Sequence, residues 1–152
     1  MEKYALLLGY YDKQIPIVRK LLKEVLILDV AIPDKDYVFA LKVQQLYTAL
    51  EDLFKQVAKA FENHLDQMGS FHKEILARMA LDVPNIRPAL LSQASVSVLD
   101  RIRAFRHFIR HAYDCALDPK ELKLIQKLLE TGFPALEKDL KVFRTYIQKL
   151  LS

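Results

Sequence analysis

Apolar residues recur at steps of three and four through most of this chain, and nowhere do they alternate persistently with polar ones. A repeat near 3.6 buries one stripe of an α-helix, whereas a half-buried strand needs a repeat of two. Three glycines and six prolines are the only strong punctuation in 152 residues, so the helices must be long and their connections short. Such helices cover their stripes best as an antiparallel bundle. The expected fold is all-α, a bundle of about five to six helices within a single domain spanning the chain.

The pattern places a first helix over Gln14 to Val30, with Pro16 in its opening turn and Ile17, Leu21, Leu22, Val25 and Leu28 as its stripe. Asp34 is expected to cap a second helix reaching His64, whose stripe is Leu46, Leu50, Leu53, Phe54, Val57 and Phe61. A shorter third helix carries Phe71, Ile75 and Met79, and Pro84 to Pro88 read as a loop. The fourth runs from Ser92 to Ala116 with Val98, Ile102, Phe105, Ile109, Ala112 and Ala116 on one face. Asp118, Pro119 and Glu121 form a helix start, and Gly132 with Pro134 is expected to end or kink that fifth helix before a last one with Leu136, Leu140, Phe143, Ile147 and Leu150.

Cys115 is the only cysteine, which excludes an intramolecular disulfide and a cysteine zinc cage. The apolar run Ala5 to Leu8 lacks a basic leader and a small-residue cleavage site, and no apolar segment is long enough for a bilayer. The expected location is the cytoplasm, with no membrane contact. A net charge of +4, from 23 basic and 19 acidic residues, decides little by itself. Its distribution decides more: Arg101, Arg103, Arg106 and Arg110 crowd a short segment that also holds His107 and His111.

Placed on a helix, Arg106 and Tyr113 lie roughly 20° apart, two turns from each other, while His111 sits roughly 140° from Arg106. Arg103, His107, Arg110 and Asp114 fill the adjoining polar face. One helix cannot aim Arg106 and His111 at one small target, but two copies facing each other can, so a homodimer with this face in its groove is expected. Both residues fall off the expected apolar stripe, so replacing either should leave the fold intact.

The run Arg103-Ala-Phe-Arg-His-Phe-Ile-Arg-His-Ala-Tyr-Asp114 resembles the marker of the HEPN superfamily, an Arg, a polar residue, a short spacer and a His on one helix. Arg106, four residues, His111, one residue and Tyr113 match the extended form of its HepT-like branch. The segment from Tyr47 to Phe54, the Phe71 to Leu76 run and the Arg87-Pro88 loop are also similar to that pattern, in order, over roughly residues 40 to 150. The resemblance implies a metal-independent endoribonuclease toxin that works as a dimer, needs no cofactor, and is restrained by a nucleotidyltransferase-fold antitoxin. His111 would be the general acid/base, since an imidazole with a pKa of about 6.5 exchanges protons near neutrality. Arg106 would hold the RNA phosphate, His107 and Tyr113 would support the site, and Arg103 and Arg110 would add phosphate contacts. The resemblance also places antitoxin modification on the Tyr113 hydroxyl.

Other readings stand beside these. A row of Arg and His opposite an apolar stripe is often a solvated face, and Tyr113 would also serve as a half-buried packing residue. His107, His111 and Asp114 offer three metal ligands with no fourth evident. His64 and His72 read as structural or exposed, and Cys115 as a packing residue. A non-catalytic module that binds RNA, a nucleotide or a nucleotidyltransferase partner is the main alternative function, and a purely structural homodimer is a third.

Overall fold

The computed structural model describes residues 1–62, 71–112 and 116–152, with residues 71–73 described by backbone alone. Among the described residues five helices follow in order: α1 Glu2–Ile27, α2 Lys35–Glu62, α3 Phe71–Met79, α4 Gln93–His111 and α5 Pro119–Leu151. Among the described residues there is no strand, only one isolated bridge between Val83 and Arg87. The all-α bundle anticipated from the apolar spacing is therefore what the chain forms.

Cross-contacts fix the helix directions. The Tyr11 hydroxyl donates to the Leu140 carbonyl, while Gln126 donates to the carbonyls of Val25 and Leu28, so α1 and α5 run antiparallel. Gln14 donates to the Ala49 carbonyl and Lys42 pairs with Glu24, which sets α2 antiparallel to α1. Ser92 bonds to Asp139 and Arg101 pairs with Glu121, so α4 also opposes α5. Apolar residues from all five helices, including Tyr11, Val43, Leu53, Ile75, Ile102 and Phe143, form one buried cluster. Among the described residues no helix is long and apolar enough to cross a membrane.

Several boundaries differ from the sequence expectation. Helix α1 begins at Glu2, so Pro16 lies inside it rather than in its opening turn. An interior proline costs about 3 kcal/mol, and the helix continues because Leu7, Tyr11, Gln14 and Val18 are all buried on both sides of it. The buried stripe is consequently rotated away from Ile17, which is 41% exposed. Asp34 adopts a φ of 72° and not the extended backbone of a capping residue. The expected end of the second helix at His64 lies outside the described residues.

Helix α5 passes without interruption through Gly132 and Pro134. Its stripe of Leu122, Ile125, Leu129, Phe133, Leu136, Leu140, Phe143 and Ile147 never breaks register, so both halves are drawn onto the same core. Gly132 has a packing purpose: a Cβ there would stand 2.4 Å from Val98 Cγ2 of α4. The Asp118 cap is as expected, its carboxylate accepting from the Lys120 amide. Helix α4 starts on the Ser92 cap but ends at His111, with Ala112 outside helical geometry and Ala116 exposed in an irregular segment.

Candidate functional site

The basic segment forms the last two turns of α4. Its inner face is set by Ser95, Leu99 and Ile102, and a further step of four brings Arg106 onto the same line. Arg106 is accordingly buried, at 7% exposure, against the expectation that it lies off the stripe. Beside it Phe105 meets the edge of Phe39 from α2, with ring centroids 6.3 Å apart, which locks this turn onto α2.

A buried guanidinium requires a counter-charge, and Glu51 of α2 provides it, with Arg106 Nη1 3.4 Å from Glu51 Oε1. Glu51 is 2% exposed and its Oε1 is also 3.6 Å from Lys55 Nζ, one turn further along α2. Both separations exceed those of tight charge-assisted hydrogen bonds, so the cations share the carboxylate mainly through charge. The Arg106 guanidinium also lies over the Tyr47 ring, 5.2 Å from its centroid. The Tyr47 hydroxyl is buried with no hydrogen-bond partner among the described residues. Burial, and then the nearby Glu51 carboxylate, push its pKa above the usual tyrosine value, so the phenol stays neutral.

The other cations face outward. Arg103 pairs with Asp100 at 2.9 Å, one turn back on the same helix. His107, Arg110 and His111 are exposed. The rings of His107 and His111 lie 4.5 Å apart on successive turns. Arg103, Arg106, His107 and Arg110 line a shallow cavity of about 70 Å³. That is far below the several hundred Å³ of a nucleotide-sized pocket, so the hollow suits a phosphate group presented from outside. Roomier hollows around the 82–88 loop with Tyr146, and between Lys3, Leu6, Gln56 and Lys59, are lined by no imidazole among the described residues.

Of the residues singled out in the sequence, Arg103, Arg106, His107 and Arg110 come together, and His111 adjoins them through His107. Arg106 on the inner face and His111 in solvent remain divergent. Tyr113, Asp114 and Cys115 lie outside the described residues. Among the described residues no three His, Cys, Asp or Glu side chains gather as a metal site.

Sequence reading missed Glu51, Tyr47 and Lys55. A signal was present for Glu51, which sits on the buried stripe of α2 between Leu50 and Leu53, where an ionised carboxylate must find a cation. Arg87 was also missed as a structural residue. From the 82–88 loop its guanidinium donates to the carbonyls of Arg78, Leu81 and Pro88 and to Glu62, tying the end of α3 to α2.

Beyond its geometry, the chain can be placed by comparison. A family model described as HepT-like protein matches residues 38–147, from the start of α2 nearly to the end of α5 and including every residue of the site. The chain belongs to that family, within the HEPN superfamily. No curated protein and no solved structure matches it.

Proposed function

We propose that this protein is an endoribonuclease toxin of a HEPN and nucleotidyltransferase toxin-antitoxin pair. The observation that carries the reading is the pair of exposed imidazoles, His107 and His111, 4.5 Å apart at the rim of a hollow lined by Arg103, Arg106 and Arg110. Proton carriers beside fixed cations are what cleavage of an RNA backbone requires.

In the proposed reaction an imidazole takes the proton from a ribose 2′-hydroxyl, and the freed oxygen attacks the adjacent phosphorus. The bond from phosphorus to the 5′-oxygen breaks, and a protonated imidazole returns a proton to that leaving oxygen. The products are a 2′,3′-cyclic phosphate and a 5′-hydroxyl. His111 is the general acid/base, with His107 supporting it. Arg110 and Arg103 meet the backbone phosphate, and Arg106 forms the floor beneath it. No metal or cofactor enters these steps.

A homodimer in which the outer faces of two α4 helices approach each other would bring a second His111 toward the groove, answering the divergence of Arg106 and His111 within one chain. The antitoxin would act by modifying Tyr113, adding a phosphate charge that repels RNA. A second reading, a non-catalytic RNA-binding or partner-binding module, draws support from Arg106, whose charge is already offset by Glu51.

The test is incubation of the purified protein with total RNA in the presence of EDTA, followed by mapping of the product ends. Cyclic phosphate and 5′-hydroxyl termini are expected. Intact RNA at all protein concentrations would leave the binding-module reading.

A further inference from the structure

The proposed site rests on a cation that is not presented to solvent. Arg106 is 7% exposed, its partner Glu51 is 2% exposed, and the two come from different helices. Arg110, on the same helix and the same hollow, is exposed, and no ion pair is described for it. The two arginines therefore differ in what a phosphate would meet: a full charge at Arg110, and at Arg106 a charge partly offset from behind.

We propose that Glu51 is the positioning residue of this site: it fixes the Arg106 guanidinium at the floor of the groove and offsets part of its charge, so that Arg110 engages the RNA phosphate first. This inference rests on the ribonuclease reading and deepens it. Tyr47 completes the seat, since the guanidinium of Arg106 lies over its ring. The shared oxygen of Glu51 matters too. With Lys55 at 3.6 Å and Arg106 at 3.4 Å from one Oε1, the carboxylate is a bridge between two cations and not a private partner of either. Substituting Glu51 thus alters the charge that faces the groove without touching any group that contacts RNA.

Glu51→Gln keeps the shape and removes the charge. Its first readout needs no RNA: phenylglyoxal adducts on arginine, located by mass spectrometry. In the parent protein Arg110 should react readily and Arg106 slowly, and in Glu51→Gln Arg106 should become reactive. The second readout is binding of a 2′-O-methyl oligouridylate of twelve nucleotides, which offers no attacking hydroxyl, across a salt series. One additional effective phosphate contact should steepen the logarithmic salt dependence by about 0.7. With a cleavable RNA, KM should fall together with kcat, because the guanidinium gains charge for binding and loses orientation for the reaction. A purely structural Glu51 would lower stability and leave the salt slope unchanged.

Equal reactivity of Arg106 and Arg110 in the parent protein, or an unchanged slope in a folded Glu51→Gln, overturns the proposal. If Glu51→Gln does not fold, the double variant Glu51→Gln with Arg106→Gln decides: recovered folding with the parental slope supports the pairing, and continued unfolding refutes it. Absence of cleavage by every form removes the ribonuclease reading alone, since adduct protection and the salt slope are read without turnover. Should the parent protein not bind the oligonucleotide, arginine protection is the deciding result.

Discussion

Arg106 of α4 and Glu51 of α2 form an ion pair, 3.4 Å apart, in which both residues are less than a tenth exposed. Breaking one side of such a pair strands the other charge in a low-dielectric setting, at a cost of about 3–5 kcal/mol. Arg106→Ala and Glu51→Ala should therefore each lower unfolding stability by about that amount. Replacing both with hydrogen-bonding neutral residues should cost much less than the sum. Urea unfolding of the four proteins measures this, and additive losses would show that the two charges do not depend on each other. It follows that loss of cleavage in Arg106→Ala is interpretable only beside a folding measurement.

Gly132 permits the close approach of α4 and α5. Alanine is favoured over glycine in a helix by about 1 kcal/mol, but here the added methyl would stand 2.4 Å from the stiff Val98 side chain. Gly132→Ala should destabilise by about 1–3 kcal/mol, as overpacking does. The double variant with Val98→Ala should recover much of that loss. A Gly132→Ala protein with a raised melting temperature would contradict the packing account.

Acid should weaken the link between α1 and α5. The hydrogen bond from Arg144 holds the Asp12 carboxyl below its ordinary range, outweighing a small desolvation effect. A carboxyl whose folded pKa is depressed contributes stability above its unfolded value of about 3.9 and loses it as pH falls through the folded value. The parent protein should accordingly lose more stability than Asp12→Asn on going from pH 5 to about pH 3. Parallel stability curves for the two proteins over that range would remove the pair from the account. The side chains are about half exposed, so the effect should be small and should shrink with added salt.

The helices were legible in the sequence because their stripes are long and regular. Leu46, Leu50, Leu53, Phe54, Val57 and Phe61, which the spacing picked out on α2, are all buried, with Tyr47, Ala49, Glu51, Ala58 and Ala60 buried beside them. Boundaries were less legible where a local signal opposed a tertiary one. Pro16 read as part of an opening turn, and Gly132 with Pro134 as an end or kink, yet burial on both sides carried each helix through them. The site was half legible. The segment rich in Arg and His marks itself, and the match to the family pattern includes it. A helical wheel puts Arg106 in line with Leu99 and Ile102; what it could not show is that α2 covers that line. Nor does any local pattern reveal that its counter-charge lies on another helix, at Glu51.

Control by a partner is open to a direct check. Under the proposed toxin reading, protein co-expressed with a nucleotidyltransferase-fold antitoxin and ATP should carry a nucleotide-derived mass on Tyr113, and Tyr113→Phe should escape silencing. An unmodified Tyr113, or equal silencing of Tyr113→Phe, would show that the partner acts by covering the groove.

The central claim is that exposed imidazoles on α4 carry out RNA cleavage. His111 is exposed and its ring lies beside that of His107, so His111→Ala should fold like the parent protein. The decisive measurement is the initial rate of RNA cleavage in EDTA for the parent protein and for His111→Ala, with matched circular dichroism and melting curves. The account predicts a loss of roughly 10²- to 10⁴-fold, the usual contribution of a general acid/base. A folded His111→Ala that cleaves at the parental rate would contradict it.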